Sequence, residues 1–270
     1  MRIVISNLLA IYRRELQSYF ASPLAYVVAG IFWLLGGFFL VVILFSPSEG
    51  LIALAAQRDQ AQQLGIPSPP LDVAYEFLQG YLGVLGSLSM FILPILSMGL
   101  YAEERKQGTL ELLATSPVNN WVVALGKLLA VVTFYVAMVL PLMLCEAIAL
   151  GTAEPAVSLA LLLVGHLGLL LLAASVLSLG MFLSSLTSST VLAAIMTFAL
   201  VIFLWIVDAL ARTIPGWLGD SLSHLSMLQH FTDFTQGILD SSSIILFLSY
   251  SLLGIFLTAQ SIETLRFQRT

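Results

Sequence analysis

Long apolar runs separated by short polar breaks fill most of the chain. A helix crosses a bilayer with about 20 apolar residues, and six runs reach that length: 24–45, 80–101, 121–150, 156–183, 190–211 and 244–262. The third and fourth exceed what crossing requires, which predicts tilt or protrusion. Pro94 and Pro141 fall inside the second and third runs and predict kinks. Ahead of the first run, residues 5–20 are amphipathic. At about 100° per residue, Ile5, Leu8, Leu9, Tyr12, Leu16, Tyr19 and Phe20 share one arc. Ser6, Asn7, Arg13, Arg14, Gln17 and Ser18 fill the rest, and Ile11 breaks the pattern. Such a helix lies in the membrane interface with its arginines near anionic headgroups. Ser22-Pro23 ends it, proline suiting the first turn of the next helix. The predicted fold is all-α: one transmembrane domain over 1–270, with an interfacial helix in 1–22 and six transmembrane helices.

Composition supports that picture. The 270 residues are 59% hydrophobic and only 9% charged, with a mean hydropathy of +1.02, against about 25% charged in a soluble domain. No stretch remains for a separate soluble domain, and no nucleic-acid partner is expected. The single cysteine, Cys145, lies in an apolar run and cannot form an intrachain disulfide. Arg13, Arg14 and Glu15 interrupt the first apolar stretch too early for a cleavable signal peptide. Counted loop by loop, Arg2, Arg13, Arg14, Arg105, Lys106, Lys127, Arg266 and Arg269 fall on one side, and only Arg58 and Arg212 on the other. That bias predicts both termini in the cytoplasm.

One stretch departs from the general apolarity. YAEERKQGTLELLATSPVNN, residues 101–120, holds Glu103, Glu104, Arg105, Lys106 and Glu111. Nothing there breaks helix before Gly108, so the second span is expected to continue beyond the membrane. Arg105 and Lys106 then complement the dipole of its last turn, and Gly108 suits a left-handed corner. Thr109 is a good cap for a new short helix, 110–115, with Glu111 in its first turn and Leu110, Leu112 and Leu113 giving an apolar side. Ser116-Pro117 ends it. So short a helix lies far below the roughly 12–15 residues that are marginal alone. It must pack, either on this chain's own bundle or on a partner.

EERKQGTLELLATSPVNNWVVALGKLLA, residues 103–130, closely resembles the segment between the second and third spans of type-2 ABC transporter permeases. In layout it is similar to the gliding-motility and nitrous-oxide-maturation members (GldF-like and NosY-like). RRELQSYFASPLAYV and LSMLQHFTDFTQGILD add weaker likeness. The resemblance implies a membrane subunit of an ATP-driven transporter, an exporter, in the prokaryotic inner membrane. It makes 103–118 a coupling loop seated in a cytoplasmic ABC ATPase, with Glu103, Glu104, Arg105, Gly108, Thr109, Glu111 and Leu112 at the contact. The elbow helix would bring Arg13, Arg14 and Glu15 beside it. It further implies pairing with a second copy or a related permease, contact with membrane lipids, and room for an extracytoplasmic accessory protein. ATP and Mg would belong to the partner, leaving this chain without cofactor or catalysis of its own.

The residues agree on that last point. The only Gly-Lys, Gly126-Lys127, is followed by Leu128 and preceded five residues earlier by Trp121, so it is no P-loop. Lys127 reads instead as a cytosolic anchor. No H-E-x-x-H occurs, His224 and His230 lie six apart, and G-x-S-x-G is missing. No metal site is expected. Apart from Lys127, the acidic and histidine residues inside predicted spans are Glu146, His166 and Asp208, where a charge costs about 2.5–3.5 kcal/mol. Each is read either as satisfied packing or as part of a pathway. Gly80, Gly83, Gly86, Gly165 and Gly168 permit close helix contact. Two outer segments remain: 46–75, with helix expected near 53–63, and 212–243, carrying Trp217, Phe231 and Phe234. The latter is either an interfacial helix or, by family likeness, a re-entrant pair of short helices. Two rival functions stay open: a scaffold that passes ATPase motion to an outer partner without transport, and a secondary transporter.

Overall fold

In the computed structural model, residues 2–47, 49–65, 72–110, 119–153, 157–214 and 216–267 are described. Among them every regular element is helical: α1 Arg2–Ala21, α2 Pro23–Phe45, α3 Leu51–Gln63, α4 Val73–Ser97, α5 Gly99–Lys106, α6 Asn120–Gly151, α7 Leu159–Leu186, α8 Thr190–Thr213, α9 Trp217–Leu225, α10 Met227–Thr235 and α11 Ser241–Phe267. Six helical stretches among these are long and apolar enough to cross a membrane: Pro23–Phe45, Val73–Lys106, Asn120–Gly151, Leu159–Leu186, Thr190–Ala211 and Ser241–Thr264.

Helix starts follow short polar caps. Asp72 accepts from the Tyr75 amide (3.0 Å), Asn119 from Trp121 (3.1 Å), Ser158 from Ala160 (3.3 Å) and Ser189 from Leu192 (3.3 Å). Each satisfies one of the N–H groups a helix leaves open. Asp72 moves the start of α4 to Val73, ahead of the apolar run that begins at 80. Pro23 occupies the first turn of α2, and the Tyr26 hydroxyl donates to the Phe20 carbonyl (2.8 Å) at the end of α1.

α7 is the axis of the molecule. It packs on α4, α5, α6, α8, α10 and α11, and sixteen of its residues are buried. A helix apolar all round belongs in the middle of a bundle. Its contact with α11 is built from small and hydroxylic residues. Ser175 donates to the Phe247 carbonyl (2.8 Å), Ser178 to the Tyr250 carbonyl (3.3 Å) and Ser185 to the Ser261 hydroxyl (3.0 Å). A Cβ added at Gly254 would stand 2.5 Å from the Ser178 carbonyl carbon, so only glycine permits this backbone approach. The serines of α7 thus pack helices.

The glycines foreseen as contact points divide. Cβ atoms at Gly86, Gly165 and Gly168 would meet Phe231, Leu82 and Phe234 at 2.4, 2.2 and 2.3 Å, whereas Gly80 and Gly83 meet nothing within 4 Å. Phe231 and Phe234 belong to α10, so α10 is clasped into the bundle. α9 and α10 meet there as two short helices. Ser226 caps α10, accepting from the Gln229 amide (3.1 Å), and its hydroxyl donates to Asp208 of α8.

α1 lies across the first half of α6. Leu8, Ile11, Tyr12, Glu15, Leu16 and Tyr19 turn toward the protein, while Ile3, Val4, Ile5, Leu9 and Phe20 are exposed. Ile11, which breaks the amphipathic arc in sequence, is a packing residue. A Cβ on Gly126 would stand 2.9 Å from it. The helix therefore carries two apolar stripes, one for the bundle and one for its surroundings.

Candidate functional site

The charged helix α5 continues α4 through a break at Met98. Pro94 has no amide hydrogen for the preceding turn. Just beyond it, Ser184 of α7 inserts into the ladder. Its hydroxyl accepts from the amides of Tyr101 (3.1 Å) and Ala102 (3.0 Å) and donates to the Met98 carbonyl (2.7 Å). One donor and two acceptor sites are all that a serine hydroxyl offers, and here all three are used. A side chain entering the i→i−4 ladder is a recognised cause of a kink.

Next to this joint is a buried cation. Lys127 of α6 is 2% exposed. Its ammonium donates to Glu15 Oε1 of α1 (3.0 Å), Glu104 Oε1 of α5 (2.9 Å) and the Leu100 carbonyl (2.9 Å). Three N–H groups meet three acceptors. The same nitrogen lies 4.9 Å from the centre of the Tyr101 ring, a cation–π distance. Lys127 is thus no free anchor at the membrane surface. It ties α1, α5 and α6 into one unit, and a buried lysine is stable only with such partners.

Arg105 completes the joint. Its Nη1 donates to the Ser185 carbonyl (2.7 Å) in the last turn of α7, where helix carbonyls lack partners and positive charge is favoured. The Thr109 hydroxyl donates to the Glu104 carbonyl (3.2 Å), and Gly108 turns the chain with φ +73°. Leu110 is buried. Glu111 and Leu112 lie outside the described residues, as do Ser116 and Pro117.

The two acids of the Glu103-Glu104 pair face opposite ways. Glu104 turns inward to Lys127, while Glu103 is exposed and lines a cavity of about 330 Å³ with Glu15, Tyr19, Val28, Leu96 and Thr190. The Tyr19 hydroxyl donates to the Leu96 carbonyl (2.7 Å). Burial, then the charges of Glu15 and Glu103, hold its phenol far above the ordinary tyrosine range, so the proton that makes this bond stays in place. Arg13 and Arg14 are exposed, whereas Glu15 turns inward.

The other foreseen polar groups lie in different places. Glu146 of α6 and His166 of α7 are buried and face each other at 3.5 Å. Asp208 of α8 accepts from Ser226 and lines a second cavity, about 480 Å³, with Gln79, Gly83, Trp205, Phe231 and Thr232. Neither group touches Lys127 or Ser184. Among the described residues no cluster of His, Cys, Asp or Glu could hold a metal ion.

Sequence reasoning missed Lys127 and Ser184 as members of the site. Helical spacing held a trace of the first, because Glu15 falls on the α1 face that also carries Leu8, Ile11 and Tyr19. No local signal marked Ser184, whose role depends on a proline two helices away.

Six membrane-length helices, a charged helical extension of the second, and an amphipathic helix locked to both define a polytopic membrane subunit with a dedicated charged extension. Residues 53–259 match the family described as ABC-2 family transporter protein, and the chain belongs to that family. It is a multi-pass membrane protein and a permease subunit of an ABC transporter. No curated protein matches it.

Proposed function

We propose that this chain is the transmembrane half of an ATP-driven exporter of the prokaryotic inner membrane, gripped from the cytoplasm by a separate ATP-binding chain. The observation that carries the reading is the Lys127 junction. A surface-charged helix whose inner side is wired to the elbow and to the third span is built to receive a push and pass it on. In this reading both termini and α5 face the cytoplasm, as the arginine and lysine bias requires. Glu103, exposed, and the chain beyond Gly108 meet the ATPase. Glu104, Arg105 and Lys127 face inward and transmit. Two permease chains pair, two ATPase chains close beneath them on ATP, and the bundles rock so that the path between them opens outward.

The division of labour between neighbouring acids gives the test. Glu103→Lys should abolish co-purification with the ATPase while the permease still inserts. Glu104→Gln should leave the complex intact but lower the cargo moved per ATP hydrolysed in vesicles. An ATPase that stays bound and fully coupled in both variants would refute the assignment. Hydrolysis that responds to both variants without any cargo crossing would favour a scaffold that hands the motion to an outer partner.

A further inference from the structure

The pair Glu146–His166 is not explained by coupling to an ATPase. It lies in the interior of the bundle, on α6 and α7, with Tyr81 of α4 beside it. Glu146 and Tyr81 are 0% exposed and His166 is 3%. Both carboxyl oxygens, the His166 Nε2 and the Tyr81 hydroxyl have no hydrogen-bonding protein partner. Buried polar groups are nearly always satisfied, and four unsatisfied atoms gathered on three helices call for an explanation.

The protonation state follows from who can donate. His166 Nδ1 lies 3.0 Å from the Leu162 carbonyl. A carbonyl only accepts, so Nδ1 carries a hydrogen, and in the neutral ring Nε2 is left as a lone pair. That lone pair faces Glu146 Oε2 at 3.5 Å. An ionised carboxylate against it would be acceptor facing acceptor, with a buried charge uncompensated. One proton removes the conflict. On Glu146 it makes a carboxylic acid that donates to Nε2. On His166 it makes an ion pair. Either bond must shorten from the 3.5 Å separation seen here, and the neutral one puts no charge into this buried interior.

Nothing nearby rescues the charged forms. Tyr81, stacked on Phe77 at 5.6 Å, is within Coulomb range of Glu146 but is a neutral phenol. Cys145, the exposed neighbour of Glu146 on α6, is the other titratable group acting on Tyr81. α2, packed on α6, has no charged residue. Glu76 of α4 is exposed, and α3, packed on α4, carries Arg58 and Asp59, neither of which forms an ion pair with Glu146. On α8 and α10, Asp208 accepts from Ser226, and His230 meets Ser243 (2.8 Å) and Asp233 (3.9 Å). On α1 and α5, Glu15 and Glu104 are held by Lys127, and Arg105 by Ser185. Glu263 of α11 is exposed.

We propose that Glu146 and His166, with Tyr81 beside them, form an intramembrane proton-binding site that holds one proton in this conformation and releases it when α6 and α7 separate. The ligand is a proton, resident on the Glu146 carboxyl and shared toward His166 Nε2. Separation withdraws the acceptor and lets water reach the carboxyl, which then ionises, the proton passing to that water. This inference does not depend on the ATPase reading, because it rests on a pair buried within this chain.

The test is spectroscopic, on the full chain in lipid nanodiscs. Infrared difference spectra with carboxyl-labelled glutamate should show a protonated C=O band at neutral pH that disappears in Glu146→Gln. Nitrogen-labelled histidine should show His166 as a neutral ring protonated at Nδ1. In His166→Phe the band should persist and move to higher frequency, because its hydrogen bond is gone. If Glu146→Gln fails to fold, the labelled wild-type chain alone decides the matter, since the site requires a protonated carboxyl band at neutral pH that exposed glutamates do not give. A carboxylate at neutral pH, whether beside a neutral or a cationic imidazole, overturns the proposal.

Discussion

Replacing Lys127 by Met keeps the length and packing of the buried stem while removing the ammonium. Three bonds are lost, each from a charged donor and each worth about 1.5–3 kcal/mol net, so a naive sum is about 5–9 kcal/mol. The sum overstates the loss. Glu15 and Glu104 keep 14% and 15% of their side-chain surface exposed, and with Lys127 gone they can lean into water. Breaking a buried ion pair by removing one partner costs about 3–5 kcal/mol, and that is the expected range. Adding Glu104→Gln to the methionine variant removes one of the two stranded carboxylates and should recover about 1–2 kcal/mol. Lys127→Arg should fall between, because a planar fork cannot meet three acceptors spread around one nitrogen. The assay is reversible unfolding in mixed micelles as a double-mutant cycle. A loss within about 0.5 kcal/mol for Lys127→Met, or strict additivity with Glu104→Gln, would show that the three helices are not joined through this cation.

Five other outcomes follow from the same geometry. Ser184→Ala strands two buried amides at the α4–α5 joint, each costing about 1–3 kcal/mol, and should lower thermal stability and speed amide exchange at Tyr101 and Ala102. Gly254→Val should prevent α11 from closing on α7, read as loss of folded protein after solubilisation, while Gly83→Ala should be neutral or gain about 0.5–1 kcal/mol from helix propensity. Ser226→Ala removes the α10 cap, about 0.5–2 kcal/mol, and should raise protease cleavage between α9 and α10. Asp240 accepts from both the hydroxyl and the amide of Ser242, which holds its carboxyl below the ordinary range. Its cap on α11 should therefore be intact above about pH 3.9, the unfolded value, and be lost only as pH falls through the lower folded value, read as Ser242 amide exchange.

How much of this was legible in the sequence differs residue by residue. The six crossings were plain because bilayer thickness sets a length that apolar runs either reach or miss. Their polar ends were not. α4 begins before its apolar run because Asp72, Tyr75 and Glu76 form a capped first turn that hydropathy ignores. The charge concentrated in 101–120 was visible, but its direction was hidden. Glu103 and Glu104 are chemically alike, and only the placement of Lys127 on a different helix decides which turns inward. A period-3.6 reading of α1 selected one arc and discarded Ile11, because a helix between protein and lipid has two apolar faces while a single moment describes one. Glu146 and His166 were each visible as buried polar groups. Their pairing was not, because it depends on the register of α6 against α7.

The central claim, that α5 is the part of this chain an ATP-binding partner grips, is tested most directly by site-specific crosslinking in intact membranes. A photo-crosslinking residue at Glu103 should capture the ATPase, with a yield that changes between nucleotide-free and ATP-bound states, and the same residue at Leu252, exposed on α11, should capture none. An ATPase that co-purifies with the chain yet never crosslinks from Glu103 in any nucleotide state would contradict the account.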